Sequence, residues 1–218
     1  MLGAGLPAEL ETIERFNRGT TEHGAKVESV ELKAGSADRA VAALAEIPRE
    51  WQRYVEVPLE QDGEEVLDAV RSGGGYAKVR LGGIAADAIA APEELIRFLE
   101  GVAARKLPFK ATAGLHHPLR GTYPLTYAEN APRGTLYGYL NLLLAAAILW
   151  SGNGLAEAKA ALLEEDPQAV RFDPTSVQWR SRQFDSAALA GMRRDFFHSF
   201  GSCSFREPLD ELAAGGWL

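Results

Sequence analysis

Short alternating strands and amphipathic helices follow one another through the first half of the chain. Successive strands begin at residues 27, 53, 76 and 107, which are separated by 26, 23 and 31 residues. This spacing is typical of consecutive βα units and predicts a parallel sheet with right-handed crossovers. The predicted strands are 27–33, 53–58, 76–81 and 107–113, and the predicted helices are 36–47, 63–71 and 92–106.

The rhythm ends after residue 113, and the second half is less regular. Ser204 and Glu207 have the spacing of a capping box before a last helix that reaches Ala214. The predictions are a loop over 115–133, two helices over 134–165, a strand or hairpin over 170–184, and an amphipathic helix over 185–200. We expect one α/β domain over residues 1–218, with regular units over 26–133 and a helical or irregular completion over 134–218.

The strands carry charged residues on one face and apolar residues on the other, because neighbouring side chains of a strand point to opposite faces. A parallel strand that is covered on both faces is normally apolar throughout. We therefore expect the charged faces to share an interior, as in a barrel lumen or a concave sheet. A solvated open face and a purely structural ion-pair network are the alternatives. The residues concerned are Glu31, Glu56, Lys78, Arg80, Lys110 and Thr112.

Composition limits the class of protein. The chain has 218 residues, is 46% hydrophobic and 24% charged, and has a formal charge of −7. These values are typical of a globular protein and argue against a broad nucleic-acid surface. The single cysteine excludes an intrachain disulfide and a multi-cysteine metal site. The apolar run 136–150 is shorter than the roughly 20 residues that span a bilayer, so no membrane association is expected and the predicted location is the cytoplasm.

The segments after the third and fourth strands are the predicted ligand-binding edge, since parallel βα folds bind ligands beyond the carboxyl ends of their strands. Gly82 and Gly83 allow close approach to the backbone and offer amides to an anion. His116, His117 and Arg120 follow the fourth strand. The two histidines together with Glu31 or Glu56 also suit a metal site, although hydrogen-bonded loop histidines are the alternative.

Lys110 is the predicted amine nucleophile. Its position beside Lys78 and Arg80 on an inner face would favour the neutral amine that Schiff-base formation requires. Thr112 and a histidine would then move protons. The alternative is that Lys110 pairs with Glu56 and stays charged. Cys203 has no base near it in the sequence and is interpreted as a passive thiol, and the small-residue turn around it as a helix cap or a phosphate-binding turn.

Two resemblances add to this interpretation. The string FKATAG over 109–114 is similar to the Lys-x-Thr-x-Gly strand of deoxyribose-phosphate aldolases, TIM barrels whose strand lysine forms the Schiff base. That family's other lysine and aspartate have no matching contexts here. The segments KVRLGG, PFKATAGLHHPLRG and SFGSCSFREPLDEL resemble an uncharacterised bacterial family of barrel-like proteins from about residue 26 onward. This resemblance implies a TIM-like α/β fold and brings no known activity.

The chain is short for a full (βα)8 barrel, which typically takes about 250 residues. An incomplete or irregular TIM-like barrel is therefore predicted. The start MLGAGLPAEL is similar to the interior of such a protein, so we expect that a first βα unit is missing.

The leading functional hypothesis is an enzyme that binds a small anionic or carbonyl metabolite. It would use lysine-based lyase or aldolase chemistry, and no cofactor is expected. Lys110 is the predicted nucleophile, Glu56 the base or counter-ion, and His116 or His117 the proton shuttle. The expected substrate-binding residues are Glu31, Lys78, Arg80, Gly82, Gly83, Thr112 and Arg120. One alternative is a metal-dependent lyase or isomerase that uses His116, His117 and a glutamate. Another is a ligand-binding or assembly module without catalysis, and a homo-oligomer is compatible with each.

Overall fold

Helices and strands alternate along the chain. The computed structural model describes residues 2, 5–19, 24–59, 63–152 and 154–218. Of the opening segment, Met1, Gly3 and Ala4 lie outside the described residues. The helices are α1 (Leu6–Gly19), α2 (Ala37–Glu46), α3 (Gly63–Ser72), α4 (Pro92–Ala104), α5 (Tyr139–Trp150), α6 (Leu155–Leu162), α7 (Ser186–Asp195) and α8 (Arg206–Ala214). The strands are β1 (Ser29–Lys33), β2 (Gln52–Glu56), β3 (Tyr76–Arg80), β4 (Phe109–Thr112), β5 (Gly121–Pro124), β6 (Arg133–Leu136), β7 (Val170–Asp173), β8 (Ser176–Trp179), β9 (Arg182–Asp185) and β10 (Phe197–Gly201).

The chain divides into two compact units, Met1–Val79 and Arg80–Leu218. In the first unit, β1, β2 and β3 are parallel neighbours in that order. Leu44 of α2 and Val66 of α3 are buried, because each helix turns one apolar stripe inward. Ser36 caps α2, with its Oγ accepting the N–H of Arg39 at 3.4 Å.

The second unit is built on the parallel pair β4 and β10. Phe109 of β4 is fully buried, and its ring centroid lies 5.7 Å from that of Phe98, 5.1 Å from Phe196 and 5.0 Å from Phe197. These rings fix α4 and the junction between α7 and β10 against β4. Thr112 and Gly201 are partners in the register, so the carboxyl ends of the two strands lie side by side.

Helix α5 is apolar around almost its whole circumference and is buried. Asn141, its buried polar residue, accepts the N–H of Arg120 at 2.7 Å and donates to the carbonyls of Ala161 and Glu164 at 2.8 Å each. The amide is therefore satisfied without water. Among the described residues, no helix combines the length and the apolar run that crossing a bilayer requires.

Several predicted elements in the second half differ from the structure. The helix predicted over 185–200 ends at Asp195, and Phe197–Gly201 is strand β10, because pairing with β4 overrides the local helical pattern. The loop predicted over 115–133 contains β5, which pairs antiparallel with β6. The strand or hairpin over 170–184 is a three-stranded antiparallel sheet in the order β7-β8-β9.

The predicted mixed α/β class with parallel βα strands is confirmed. The two helices predicted over 134–165 are α5 and α6. The described strands form no closed barrel, so the TIM-like part of the interpretation stays a prediction.

Candidate functional site

Three chain segments of the second unit meet beyond the strand ends. The carbonyl of Thr112, the last residue of β4, accepts the N–H of Leu81 at 2.9 Å. A Cβ added to Gly82 would lie 3.2 Å from the Cα of Gly114, so glycine lets these two backbones approach each other closely. On the other side of β4, the register places Gly201 beside Thr112.

The backbone turns sharply where β4 ends. Ala113 has φ 66° and Gly114 has φ 75°. A left-handed conformation is accessible to glycine but costs free energy in alanine. Strained residues of this kind cluster at ligand sites, and this pair leads directly into His116 and His117.

A pocket of about 600 Å³ lies among these segments. Its size falls in the range of small-molecule sites. The lining comes entirely from the second unit and contains both polar groups and a broad apolar wall. The lining residues are Gly83, Ile84, Thr112, Ala113, Gly114, His116, His117, Pro124, Leu125, Thr126, Tyr127, Ala128, Leu136, Gly201, Ser202, Cys203 and Glu207.

A thiol, an imidazole and a carboxylate stand in sequence on the pocket wall. The Sγ of Cys203 lies 3.4 Å from Nε2 of His116, and Nδ1 of the same ring lies 2.7 Å from Oε2 of Glu207. A carboxylate accepts but does not donate, so we assign the proton to Nδ1, which leaves Nε2 as the acceptor. The Cys203 sulfur is nearer to Nε2 but also lies 4.0 Å from Nδ1, so the thiol lies beside the ring. We call these three residues the thiol triad. Cys203 is exposed and therefore accessible to a ligand in the pocket.

The start of α8 holds the carboxylate of the thiol triad in place. The N–H of Glu207 donates to Oγ of Ser204 at 3.1 Å, which is half of the predicted capping box. The Glu207 carboxylate binds His116, and it also accepts the hydroxyl of Tyr127 at 3.1 Å. Desolvation, the hydrogen bond to Glu207 and the charge of that carboxylate raise the pKa of Tyr127 to about 12. The tyrosine hydroxyl therefore remains a donor at neutral pH.

His117 belongs to a second imidazole–carboxylate pair. Its Nδ1 lies 2.7 Å from Oε1 of Glu211, and its ring stacks on Tyr123 with centroids 3.4 Å apart. The Tyr123 hydroxyl donates to the carbonyl of Leu119 at 3.0 Å, which fixes the stacking partner. Desolvation and the charges of Glu211 and Glu165 raise the pKa of Tyr123. One ligand atom each of His117, Glu207 and Glu211 lies within 4.8 Å of the others.

Three of the predicted site residues form an ion cluster in the first unit. The Nζ of Lys78 lies 2.7 Å from Oε2 of Glu31 and 3.0 Å from Oε2 of Glu56. The second contact is an ion pair without hydrogen-bond alignment. Lys78 is only 2% exposed, and a buried ammonium requires such partners. Lys78 is therefore a buried cation whose charge is balanced by two carboxylates.

The other predicted residues, all in the second unit, divide between the pocket and its surroundings. Gly83, Thr112, His116 and His117 line the pocket. Gly82, Arg80, Lys110 and Arg120 are not among the described lining residues. Arg80 is exposed, Lys110 is half-buried beside Ser199 of β10, and Arg120 forms an ion pair with Glu165.

A larger and more open depression of about 900 Å³ lies in the first unit. Its described lining contains Glu14, Arg18, Lys26 and Trp51 among others, and neither histidine nor cysteine. Size alone does not define a reactive site. We place the candidate site in the smaller pocket, because that pocket holds a thiol and an imidazole together.

Comparison with known proteins does not identify the chain: no protein-family model, no curated protein and no solved structure matches it. The sequence interpretation did not place three of the groups found here in a site. Cys203 and Glu207 line the pocket, and Glu211 binds His117 beside it. The imidazole that lies beside Cys203 comes from a loop 87 positions earlier in the chain, and local spacing carries no signal of that contact.

Proposed function

We propose that this protein is a cysteine-dependent acyl hydrolase with Cys203 as its nucleophile. The single observation that carries the proposal is the order of groups Cys203, His116 and Glu207 along one wall of the pocket, with distances of 3.4 Å and 2.7 Å. A nucleophile beside a base that a third group orients is the general arrangement for covalent acyl transfer.

In the first half-reaction, Nε2 of His116 accepts the proton of the Cys203 thiol as sulfur attacks the carbonyl carbon. A sulfur–carbon bond forms, and the carbonyl π bond opens to an oxyanion. When the oxyanion collapses, the bond to the leaving group breaks, and His116 returns the proton to that group. The product is a thioester on Cys203 and a free alcohol, thiol or amine.

In the second half-reaction, water replaces the thiol as the attacking group. His116 removes a proton from water, whose oxygen bonds to the thioester carbon, and the carbon–sulfur bond then breaks. The proton returns to sulfur and a carboxylic acid leaves. Throughout, the Glu207 carboxylate keeps the His116 ring in the required tautomer and stabilises its cationic form.

The pocket favours a small carbonyl compound with an apolar acyl group. Its described lining includes Ile84, Leu125 and Leu136 but neither lysine nor arginine, so attraction to an anion has no support from this wall. A cavity of about 600 Å³ accommodates a small molecule. This proposal keeps the carbonyl substrate of the sequence hypothesis and replaces its nucleophile.

Lysine-based lyase chemistry is the second candidate. Lys110 and Thr112 are two positions apart in β4 and therefore lie on the same face of the strand. Thr112 lines the pocket. This second candidate includes the incomplete TIM-like fold. The alternation of strands and helices, with neighbouring strands parallel, supports that fold.

The test uses the fact that the chain has one cysteine. Purified protein is incubated with p-nitrophenyl acetate and with short acyl thioesters, and product release and the mass of the Cys203 peptide are followed. We expect turnover and an acyl group on Cys203. His116→Gln should lower kcat by roughly a hundredfold or more, whereas His198→Gln, a histidine outside the described lining, should leave it unchanged.

Two results would overturn the proposal. Hydrolysis that persists in Cys203→Ala would show that the thiol is not the nucleophile. An acyl or carbonyl adduct found on Lys110 but not on Cys203 would favour the lysine-based alternative. Folding of each variant is checked by its thermal unfolding midpoint, so that loss of activity is not confused with loss of structure.

A further inference from the structure

Helix α8 presents two carboxylates next to a histidine from a different part of the second unit. Glu207 and Glu211 are four residues apart, so they lie on one face of the helix, one turn from each other. His117 reaches the same place from the loop after β4. One ligand atom from each of these residues lies within 4.8 Å of the others.

The charge of this cluster favours a cation. The ion pairs described for Glu207 and Glu211 are both with histidines, His116 and His117. A histidine contributes positive charge only when it is protonated, so two carboxylates with neutral imidazoles leave a net negative charge. His117 is buried and Glu207 is half-buried, and negative charge in partly desolvated surroundings is stabilised by a bound cation.

The distances are close to those that a zinc ion requires. Ligand atoms about 2.0–2.2 Å from a tetrahedral zinc ion lie about 3.3–3.6 Å from each other. The Nδ1 of His117 and Oε1 of Glu211 are already 2.7 Å apart, and the full set lies within 4.8 Å. Small rotations of the glutamate side chains therefore bring the three ligand atoms to these separations.

The backbones that carry the three ligands are fixed by one residue of α5. The N–H of Tyr139 donates to the carbonyl of His117 at 3.0 Å. The Tyr139 hydroxyl donates to the carbonyl of Pro208 in α8 at 2.9 Å. The Tyr139 ring also stacks on Phe200 of β10, with centroids 4.7 Å apart. The cluster is thus held on rigid elements, which is what a metal site needs to select one geometry.

We propose that His117, Glu207 and Glu211 bind one Zn²⁺ ion at the wall of the pocket. One nitrogen and two oxygens make a three-ligand set that leaves a fourth position for water or a ligand, which is the form of open zinc sites. Zinc binding is distinct from the acyl-transfer proposal and does not depend on it. The two sites share Glu207, and both His117 and Glu207 line the pocket that contains Cys203.

The first experiment measures binding directly. Metal-free protein is titrated with Zn²⁺ by calorimetry and by competition with a chromophoric chelator. We expect one ion per chain, with affinity at least about tenfold weaker in Glu211→Gln, since even outer-shell substitutions cost that much. Asp210→Asn is the matched control, because it removes the same charge from the adjacent position of α8 and Asp210 pairs with Arg206 instead.

The second experiment locates the ion. Alkylation of the single cysteine by iodoacetamide is followed by mass with and without saturating Zn²⁺. An ion held by Glu207 lies beside the thiol triad and competes with His116 for the same carboxylate, so zinc should slow alkylation several-fold in the natural chain and in Asp210→Asn. In Glu211→Gln the slowing should require correspondingly more zinc.

The outcomes separate this proposal from the acyl-transfer proposal. Absence of stoichiometric binding, or equal affinity in Glu211→Gln, overturns the zinc site. Binding that leaves alkylation unchanged places the ion away from Glu207 and overturns this ligand set. Binding that is lost in Cys203→Ala makes sulfur a ligand and also overturns it. A protein that binds zinc as expected but shows no hydrolysis when metal-free would refute only the hydrolase.

Discussion

The Sγ of Cys203 lies 3.4 Å from Nε2 of His116, while Nδ1 of the same ring is bonded to Glu207. This relationship joins the segment after β10 to the segment after β4, so the strand pairing that builds the second unit also builds the thiol triad. Glu207 orients the imidazole, and Nε2 is the ring nitrogen that lies nearer to sulfur. A passive surface cysteine has no such partner.

Replacement of Glu207 by Gln should lower kcat with little change in KM. Glutamine still accepts a hydrogen bond from His116 but no longer stabilises the imidazolium, and a neutral substitution of this kind in a triad reduces kcat by roughly a hundredfold or more. The measurement is steady-state hydrolysis of whichever ester or thioester is turned over. Asp210→Asn, on the same helix, should behave as the natural protein does, and an unchanged kcat in Glu207→Gln would remove the carboxylate from the mechanism.

Lys110 is tested by borohydride trapping. Protein is incubated with small aldehydes and ketones in the presence of borohydride, and adducts are located by peptide mass. The hydrolase proposal predicts no substrate-dependent adduct at Lys110 and unchanged hydrolysis in Lys110→Met. A reduced adduct at Lys110 would instead establish Schiff-base chemistry, provided that the modified protein takes up no further adduct in a second round of trapping.

Lys78→Met should destabilise the first unit strongly. Glu31 and Glu56 would lose the buried ammonium between them, and removal of one partner from such a cluster costs about 3–5 kcal/mol. Chemical denaturation measures the free energy of unfolding. Lys33→Met is the control, because Lys33 lies 4.0 Å from Glu56 with a side chain 71% exposed, and its loss should cost about 0.5 kcal/mol or less.

The same experiment has a second arm. When Lys78→Met is combined with Glu31→Gln and Glu56→Gln, most of the stability should return, since no uncompensated carboxylate remains. If the triple variant is as unstable as the single one, packing of the lysine stem explains the loss and charge does not.

Glu164 should make stability depend on pH in the acid range. Burial acts to raise the pKa of its carboxyl, but the N–H of Asp166, the Arg180 guanidinium and the Trp179 indole together outweigh burial and hold the pKa below its ordinary value of 4.5. The folded pKa is thus lower than the unfolded one. The stability that Glu164 provides is full above pH 4.5 and is lost as the pH falls through the folded value.

Glu164→Gln should therefore lower the free energy of unfolding by about 2 kcal/mol at neutral pH and by progressively less as the pH falls below 4.5. Denaturation curves at several pH values measure this difference. Glu165→Gln is a control, because that neighbouring carboxylate is exposed. A difference between natural and variant protein that does not shrink in acid would assign the effect to lost packing.

The sequence was sufficient for the features that depend on local pattern. The βα alternation, the cap at Ser36 and the buried helix α5 all follow from periodicity and capping preferences. It also indicated the segment after β4 as a ligand-binding edge, and His116 and His117 line the pocket there. Parallel strands bind ligands at these ends for geometric reasons, which is why a local pattern points to this segment.

The rest depends on contacts between distant residues. Phe197–Gly201 is a strand only because β4 pairs with it, and that pairing brings Cys203 to His116. Glu207 fits a capping box in the sequence, and Ser204 Oγ does accept its N–H, but its carboxylate binds His116. Lys78 differs from these residues, because the strand pattern already places it with Glu31 and Glu56 in a charged interior, and the structure pairs it with both carboxylates. The contacts of Cys203 and Glu207 with His116 are not encoded in the local spacing of residues.

His116 and Glu207 are 91 positions apart in the chain. During synthesis the imidazole leaves the ribosome well before the thiol and the carboxylate that complete the arrangement. A nascent or partly folded chain therefore contains a cysteine without its base, and that cysteine has the modest reactivity of an ordinary thiol. Under the hydrolase proposal, activation of Cys203 therefore depends on the docking of α8, which carries Glu207. A loss of reactivity toward iodoacetamide would then report local opening of that helix before the rest of the protein unfolds.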